Sequence, residues 1–145
     1  MTAAASPVTV LVYSNSGDVR AAVRTAVGRR PAADVGRIDW VEVSTHTEIL
    51  REIDRGGLDL VIVDGEAQPT GGMGLARQFK NEIRECPPIV VLIARKQDGW
   101  LAAWSLADAV IAQPLDPIAA AAVVAGQLRD RANHIPVVGA LPAKR

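Results

Sequence analysis

Two rhythms of apolar and polar positions alternate along this chain. Short apolar runs at residues 8–13, 40–43, 58–63, 89–93 and 109–111 each predict a β-strand. The third is apolar apart from Asp59, as expected of a central parallel strand buried on both faces. Between the runs, apolar residues recur at helical spacing. Val19, Ala22, Val23, Ala26 and Val27 follow a capping Ser16. Ile49, Leu50 and Ile53 follow Thr45 and Glu48, a capping-box pair, and Gly56-Gly57 ends that helix. Leu75, Ala76 and Phe79 mark a third helix that stops before Pro87-Pro88. Asp98 can cap a short fourth helix with Trp100 and Trp104, and Pro117 opens a last one running to about residue 133.

Five strands alternating with five helices predict a doubly wound α/β fold with a five-stranded parallel sheet. The flavodoxin-like strand order 2-1-3-4-5 suits a chain of this length. The expected organisation is an N-terminal extension at 1–7, one domain at 8–133 and an extended tail at 134–145. Zero net charge, from 16 basic and 16 acidic residues, argues against a nucleic-acid partner. No apolar run reaches the roughly 18 residues of a membrane span, so no direct membrane insertion is expected. A lone cysteine, Cys86, excludes an intrachain disulfide, and the expected location is cytoplasmic.

Asp64 closes the third apolar run. A carboxylate at the tip of a buried strand is costly unless it is used or paired. It also sits where ligands bind in open α/β sheets, beyond the strands' carboxyl ends.

These residues resemble the receiver domain of two-component response regulators over roughly residues 8–132. Asp64 takes the place of the phospho-accepting aspartate. Gly71-Gly72-Met73-Gly74-Leu75 resembles the turn into the third helix, and Val90-Val91-Leu92-Ile93-Ala94 the fourth strand. Ala107-Asp108-Ala109-Val110-Ile111-Ala112-Gln113-Pro114-Leu115 resembles the last strand and its Lys-Pro end. The resemblance implies a CheY-like (βα)5 fold.

The chain departs from that family at five positions. Ser14 and Asn15 stand where the family has two Mg²⁺-binding acids. Ile93 replaces the switch Ser/Thr, Val110 the switch aromatic, and Gln113 the phosphoryl-contacting lysine. Mg²⁺ usually needs one or two carboxylates, so Mg²⁺ binding is expected to be weak or absent and no cofactor is expected. Losing a single electrostatic contributor can cost on the order of 10²–10³ in rate. Asp64 is therefore read as a relic that hydrogen-bonds Ser14 or Asn15, with phosphorylation by a histidine kinase as the alternative.

A dozen residues after the last helix are too few for an output domain, so the chain reads as a stand-alone receiver. The segment from Asp64 to Gln78 looks like actinobacterial single-domain atypical receivers associated with respiratory NADH:quinone oxidoreductase (complex I). That resemblance implies a non-enzymatic accessory subunit on the peripheral arm, at the cytoplasmic membrane face.

Trp100 and Trp104 share a helix face; one is expected in the core and Trp104 in an interface, since receivers use the fourth-helix, fifth-strand, fifth-helix face. In the apolar tail, Ile135, Pro136, Val137, Val138 and Leu141 are expected to order on a partner. Arg20, Arg24, Arg29 and Arg30 read as a solvated face near Asp34 and Asp39, and alternatively as a match for an acidic protein surface. His46 is expected in solvent and Cys86 as a small filler. Residues 13–18 partly resemble a flavodoxin phosphate loop, but Asp18 puts a negative charge there; FMN binding is the remote reading.

Overall fold

The computed structural model describes residues 6–95 and 98–132. Among these, five strands and five helices alternate: β1 (Val8–Tyr13), α1 (Gly17–Val27), β2 (Ile38–Val43), α2 (His46–Arg55), β3 (Leu60–Asp64), α3 (Gly72–Glu82), β4 (Ile89–Ile93), α4 (Gly99–Trp104), β5 (Ala109–Ala112) and α5 (Pro117–Ala132). The strands form one parallel sheet in the expected order β2-β1-β3-β4-β5. The tail residues Ile135, Pro136, Val137, Val138 and Leu141 lie outside the described residues, as do residues 1–5. No helix among the described residues is long and apolar enough to cross a membrane.

The period-2 alternation of each strand feeds two core layers. Leu11, Tyr13, Val61, Val63, Val91 and Ile93 point to one face and pack with Ile49, Leu75 and Phe79. Val10, Val12, Leu60, Ile62, Val90 and Leu92 point to the other and pack with Val23, Val27, Val124 and Leu128. Every residue of β3 and β4 is buried, which is why these runs are nearly all apolar.

Two of the expected caps form, whereas the Asp98 carboxylate pairs with Arg95 at 3.0 Å. The Val19 N–H donates to Ser16 Oγ at 3.3 Å, and Thr45 and Glu48 form a full capping box. Two strand boundaries move. β2 starts at Ile38, two residues early, because the buried Ile38 also donates its N–H to the Arg29 carbonyl at 2.8 Å. β3 starts at Leu60, because the Asp59 carboxylate turns back to accept the Thr9 N–H at 2.9 Å.

A buried ion pair ties α3 to the start of β5. Lys80 Nζ lies 2.5 Å from Asp108 Oδ2, with both side chains at or below 1% exposure. The same oxygen accepts the Ile89 N–H at 2.7 Å, while Asp108 Oδ1 is buried with no hydrogen-bond partner among the described residues. Burial pushes the Asp108 carboxyl above its ordinary value, and Lys80 offsets only part of that. Breaking such a pair leaves an uncompensated buried charge. Lys80→Met should therefore lower unfolding free energy by about 3–5 kcal/mol near neutral pH. The loss should shrink as pH falls. A carboxyl whose folded pKa is raised holds a proton that the unfolded chain releases; that stabilisation is complete below the unfolded pKa and is lost as pH rises through the folded one. Urea denaturation of Lys80→Met at about pH 5 and about pH 7.5 checks this. An equal loss at both pH values would contradict it.

Candidate functional site: a carboxylate held by neutral donors

β1 and β3 are neighbours in register, with Tyr13 beside Val63, so the residues that follow them meet at the carboxyl end of the sheet. Ser14 Oγ donates to Asp64 Oδ2 at 2.7 Å, and the Glu66 N–H donates to Asp64 Oδ1 at 2.9 Å. Both carboxylate oxygens are thus engaged by uncharged donors. Ser14 is fully buried and Asp64 is 4% exposed. The Ser14 hydroxyl in turn accepts the Ser16 N–H at 3.0 Å, and its carbonyl accepts from Arg20 Nη1 at 2.5 Å.

Of the two partners expected for Asp64, the structure assigns only Ser14. Asn15 points elsewhere: its Oδ1 accepts the Gln68 N–H at 2.8 Å and so holds the loop after β3. That loop is drawn tightly under the strand ends. A Cβ at Gly72 would lie 2.6 Å from the Asp64 carbonyl oxygen, and one at Gly65 would lie 2.7 Å from that of Leu92. Glycine at both positions permits this approach.

Ile93 is 3% exposed and packs in the core layer with Val91, so this position serves packing. Val110 sits on edge strand β5 and is 38% exposed. The Gln113 N–H extends the β4–β5 ladder to the Ile93 carbonyl at 2.9 Å. Gln113 also lines a groove of about 590 Å³ with Asp18, Val19 and Leu115, between α1 and the start of α5. Among the described residues no group of three or more His, Cys, Asp or Glu side chains is placed to hold a metal ion.

Two expectations need correction. Neither Trp100 nor Trp104 belongs to the core: they are 70% and 48% exposed, because α4 lies flat at the surface and its face toward the sheet is carried by Leu101. Arg20 and Arg24 do not answer Asp34 or Asp39. Both converge on Glu42, at 3.1 and 2.6 Å, since α1 lies along β2; burial raises the Glu42 carboxyl, but the two guanidiniums outweigh it and hold the group below its ordinary value. Asp34 instead pairs with Arg129 on α5, at 2.6 Å. His46 is exposed and Cys86 half-buried, as expected.

Sequence reasoning passed over Arg77 and Tyr13. The Arg77 guanidinium lies 4.9 Å from the Trp104 ring centroid, and its Nη1 donates to the Trp104 carbonyl at 2.5 Å. Their separation of 27 positions hides the contact from any local pattern. The buried Tyr13 hydroxyl donates to the Thr70 carbonyl at 2.6 Å and anchors the loop after β3. Burial, and then the nearby Asp64 charge, push the Tyr13 phenol above its ordinary value. The chain has a single tyrosine, which gives a clean readout. In Asp64→Asn the Tyr13 pKa should fall but stay elevated, because burial remains. Ultraviolet titration measures it; an unchanged midpoint would mean that the Asp64 charge is not felt there.

No family model matches this chain. It is 48% identical over 124 residues to an uncharacterized response regulatory protein of Mycobacterium tuberculosis H37Rv, spanning 86% of this chain and 93% of the relative. The corresponding protein of strain CDC 1551 matches equally. Among solved structures, the receiver domain of Francisella response regulator 1452 superposes with a TM-score of 0.71 at 16% identity, over 85% of this chain and 98% of that one. A two-component response regulator from Clostridium difficile gives 0.69 at 19% identity, over 86% and 98%. At such low identity these two speak for the fold. With the 48% identical relative and the fold in agreement, the chain belongs to the response regulators and folds as their receiver domain.

Proposed function

We propose that this chain is an atypical receiver that acts by docking on a protein partner, without phosphoryl chemistry at Asp64. The observation that carries this reading is the Ser14–Asp64 hydrogen bond at 2.7 Å. A hydroxyl that donates its proton to the carboxylate stands where a metal-binding acid would have to be. The donor set does not fit Mg²⁺, which prefers oxygen ligands that include carboxylates and a near-octahedral arrangement. Asn15 is committed to Gln68, and neither Ile93 nor Gln113 carries a hydroxyl or a cation for a phosphoryl oxygen.

The docking face is the one made by α4, β5 and α5. All the exposed large hydrophobics among the described residues lie on these three elements: Trp100, Trp104, Val110 and Ile118. Indole side chains are frequent anchors at interfaces. The resemblance of residues 64–78 to complex I-associated receivers supports a partner on the peripheral arm of NADH:quinone oxidoreductase, with the apolar residues after 133 adding contacts. The protein then acts as a non-catalytic accessory subunit without a cofactor.

Incubation with acetyl phosphate and Mg²⁺, followed by intact mass measurement, should show no phosphoryl adduct. An adduct lost in Asp64→Asn would instead support a receiver phosphorylated by a histidine kinase. Affinity purification from native membranes should recover complex I subunits. Trp100→Ala with Trp104→Ala should weaken that recovery at least about tenfold with little change in melting temperature. Recovery of a histidine kinase alone would refute the docking reading.

A further inference from the structure

The edge of the sheet at β2 carries a second, independent feature. Along a parallel strand, backbone N–H and C=O groups point alternately to one neighbour and the other. The Arg37 and Val43 carbonyls accept from Val8 and Ser14, so positions 37, 39, 41 and 43 face β1. Positions 38, 40, 42 and 44 face away from the sheet. The chain itself caps both ends of this outer edge. The Ile38 N–H goes to the Arg29 carbonyl at 2.8 Å, and the Ser44 N–H goes to Glu48 Oε1 at 2.9 Å. Between the caps, the outward N–H groups of Trp40 and Glu42 have no partner among the described residues.

A groove of about 900 Å³ runs along this opening, between the outer flank of α1 and the strand. Arg24, Arg29, Arg37 and Trp40 line it, with Asp39 and Glu42. Arg24 is already held by Glu42. Arg29 and Arg37 pair with no carboxylate among the described residues. A strand edge with two open rungs, flanked by two uncommitted guanidiniums, has the pattern of a peptide-binding edge.

We propose that this edge takes a short, extended, acidic segment of a protein partner. Its backbone would pair with Trp40 and Glu42, and its carboxylates would meet Arg29 and Arg37. Open backbone groups spaced two residues apart suit a strand better than a compact anion. The proposal does not rest on the docking face of α4, β5 and α5, because β2 and β5 are opposite edges of the sheet.

The test uses the full chain and a fluorescein-labelled Glu-Val-Glu-Val-Glu-Val peptide, with Lys-Val-Lys-Val-Lys-Val as control. Fluorescence anisotropy should show salt-sensitive binding of the acidic peptide only. Arg29→Glu with Arg37→Glu should weaken it about tenfold or more, as expected for lost charge complementarity. Amide exchange followed by NMR should slow at Trp40 and Glu42 when the peptide is bound. The idea is overturned by no binding, by equal binding of the basic peptide, or by binding that leaves those two amides unprotected. It is overturned equally if inorganic phosphate displaces the peptide at low concentration, which would mark a simple anion site. Self-association through this edge, seen as a dimer by sedimentation that Trp40→Lys abolishes, would replace the partner with a second copy.

Discussion

A parallel sheet covered by helices on both faces has no room for polar side chains except at the ends and edges of its strands. The rest of this molecule follows from that constraint. β3 and β4 are apolar throughout until Asp64, the last residue of β3. The polar groups that matter collect just beyond the strand ends, where Ser14, Asp64 and Glu66 meet, or along the outer edge of β2, where Glu42 sits.

Two buried acids show how differently one fold can satisfy the same need. Asp108 is matched by an ammonium, which keeps a full ion pair inside the protein and leaves one oxygen unsatisfied. Asp64 is matched by a hydroxyl and a backbone amide, which spread its charge without cancelling it. The residual field reaches Tyr13, whose phenol is harder to ionise for it. The first arrangement fixes a helix against the sheet. The second fixes the geometry of a loop, with Tyr13–Thr70 and Asn15–Gln68 as its other ties.

The fold could be read closely from the sequence because its signals are local. Strand runs, the Ser16 cap and the Thr45–Glu48 box each depend on a few adjacent residues. The bond between Ser14 and Asp64 was within reach once family positions placed both residues at neighbouring strand ends. What the sequence leaves hidden depends on the third dimension. Helical spacing puts Trp100 and Trp104 on one face, yet periodicity does not tell how far α4 sinks into the surface. Spacing groups the arginines of α1, but their partner Glu42 comes from β2, and Asp34 answers α5 instead. Lys80 gave no warning at all: a lysine in the last turn of a helix is ordinarily solvated, and only the start of β5 brings Asp108 to it.

The caps on β2 also bear on how the fold limits pairing between like chains. An open strand edge is the usual starting point for runaway stacking of like chains into fibres. Here the Arg29 carbonyl and the Glu48 carboxylate shorten the exposed stretch, and the charged cluster of Arg20, Arg24 and Glu42 stands over it. Ordered cross-β growth needs about six or seven consecutive pairing residues, more than this edge leaves uncovered. Folding therefore leaves only two rungs open without the help of proline or a bulge, and the full edge is bared when α1 or α2 detaches.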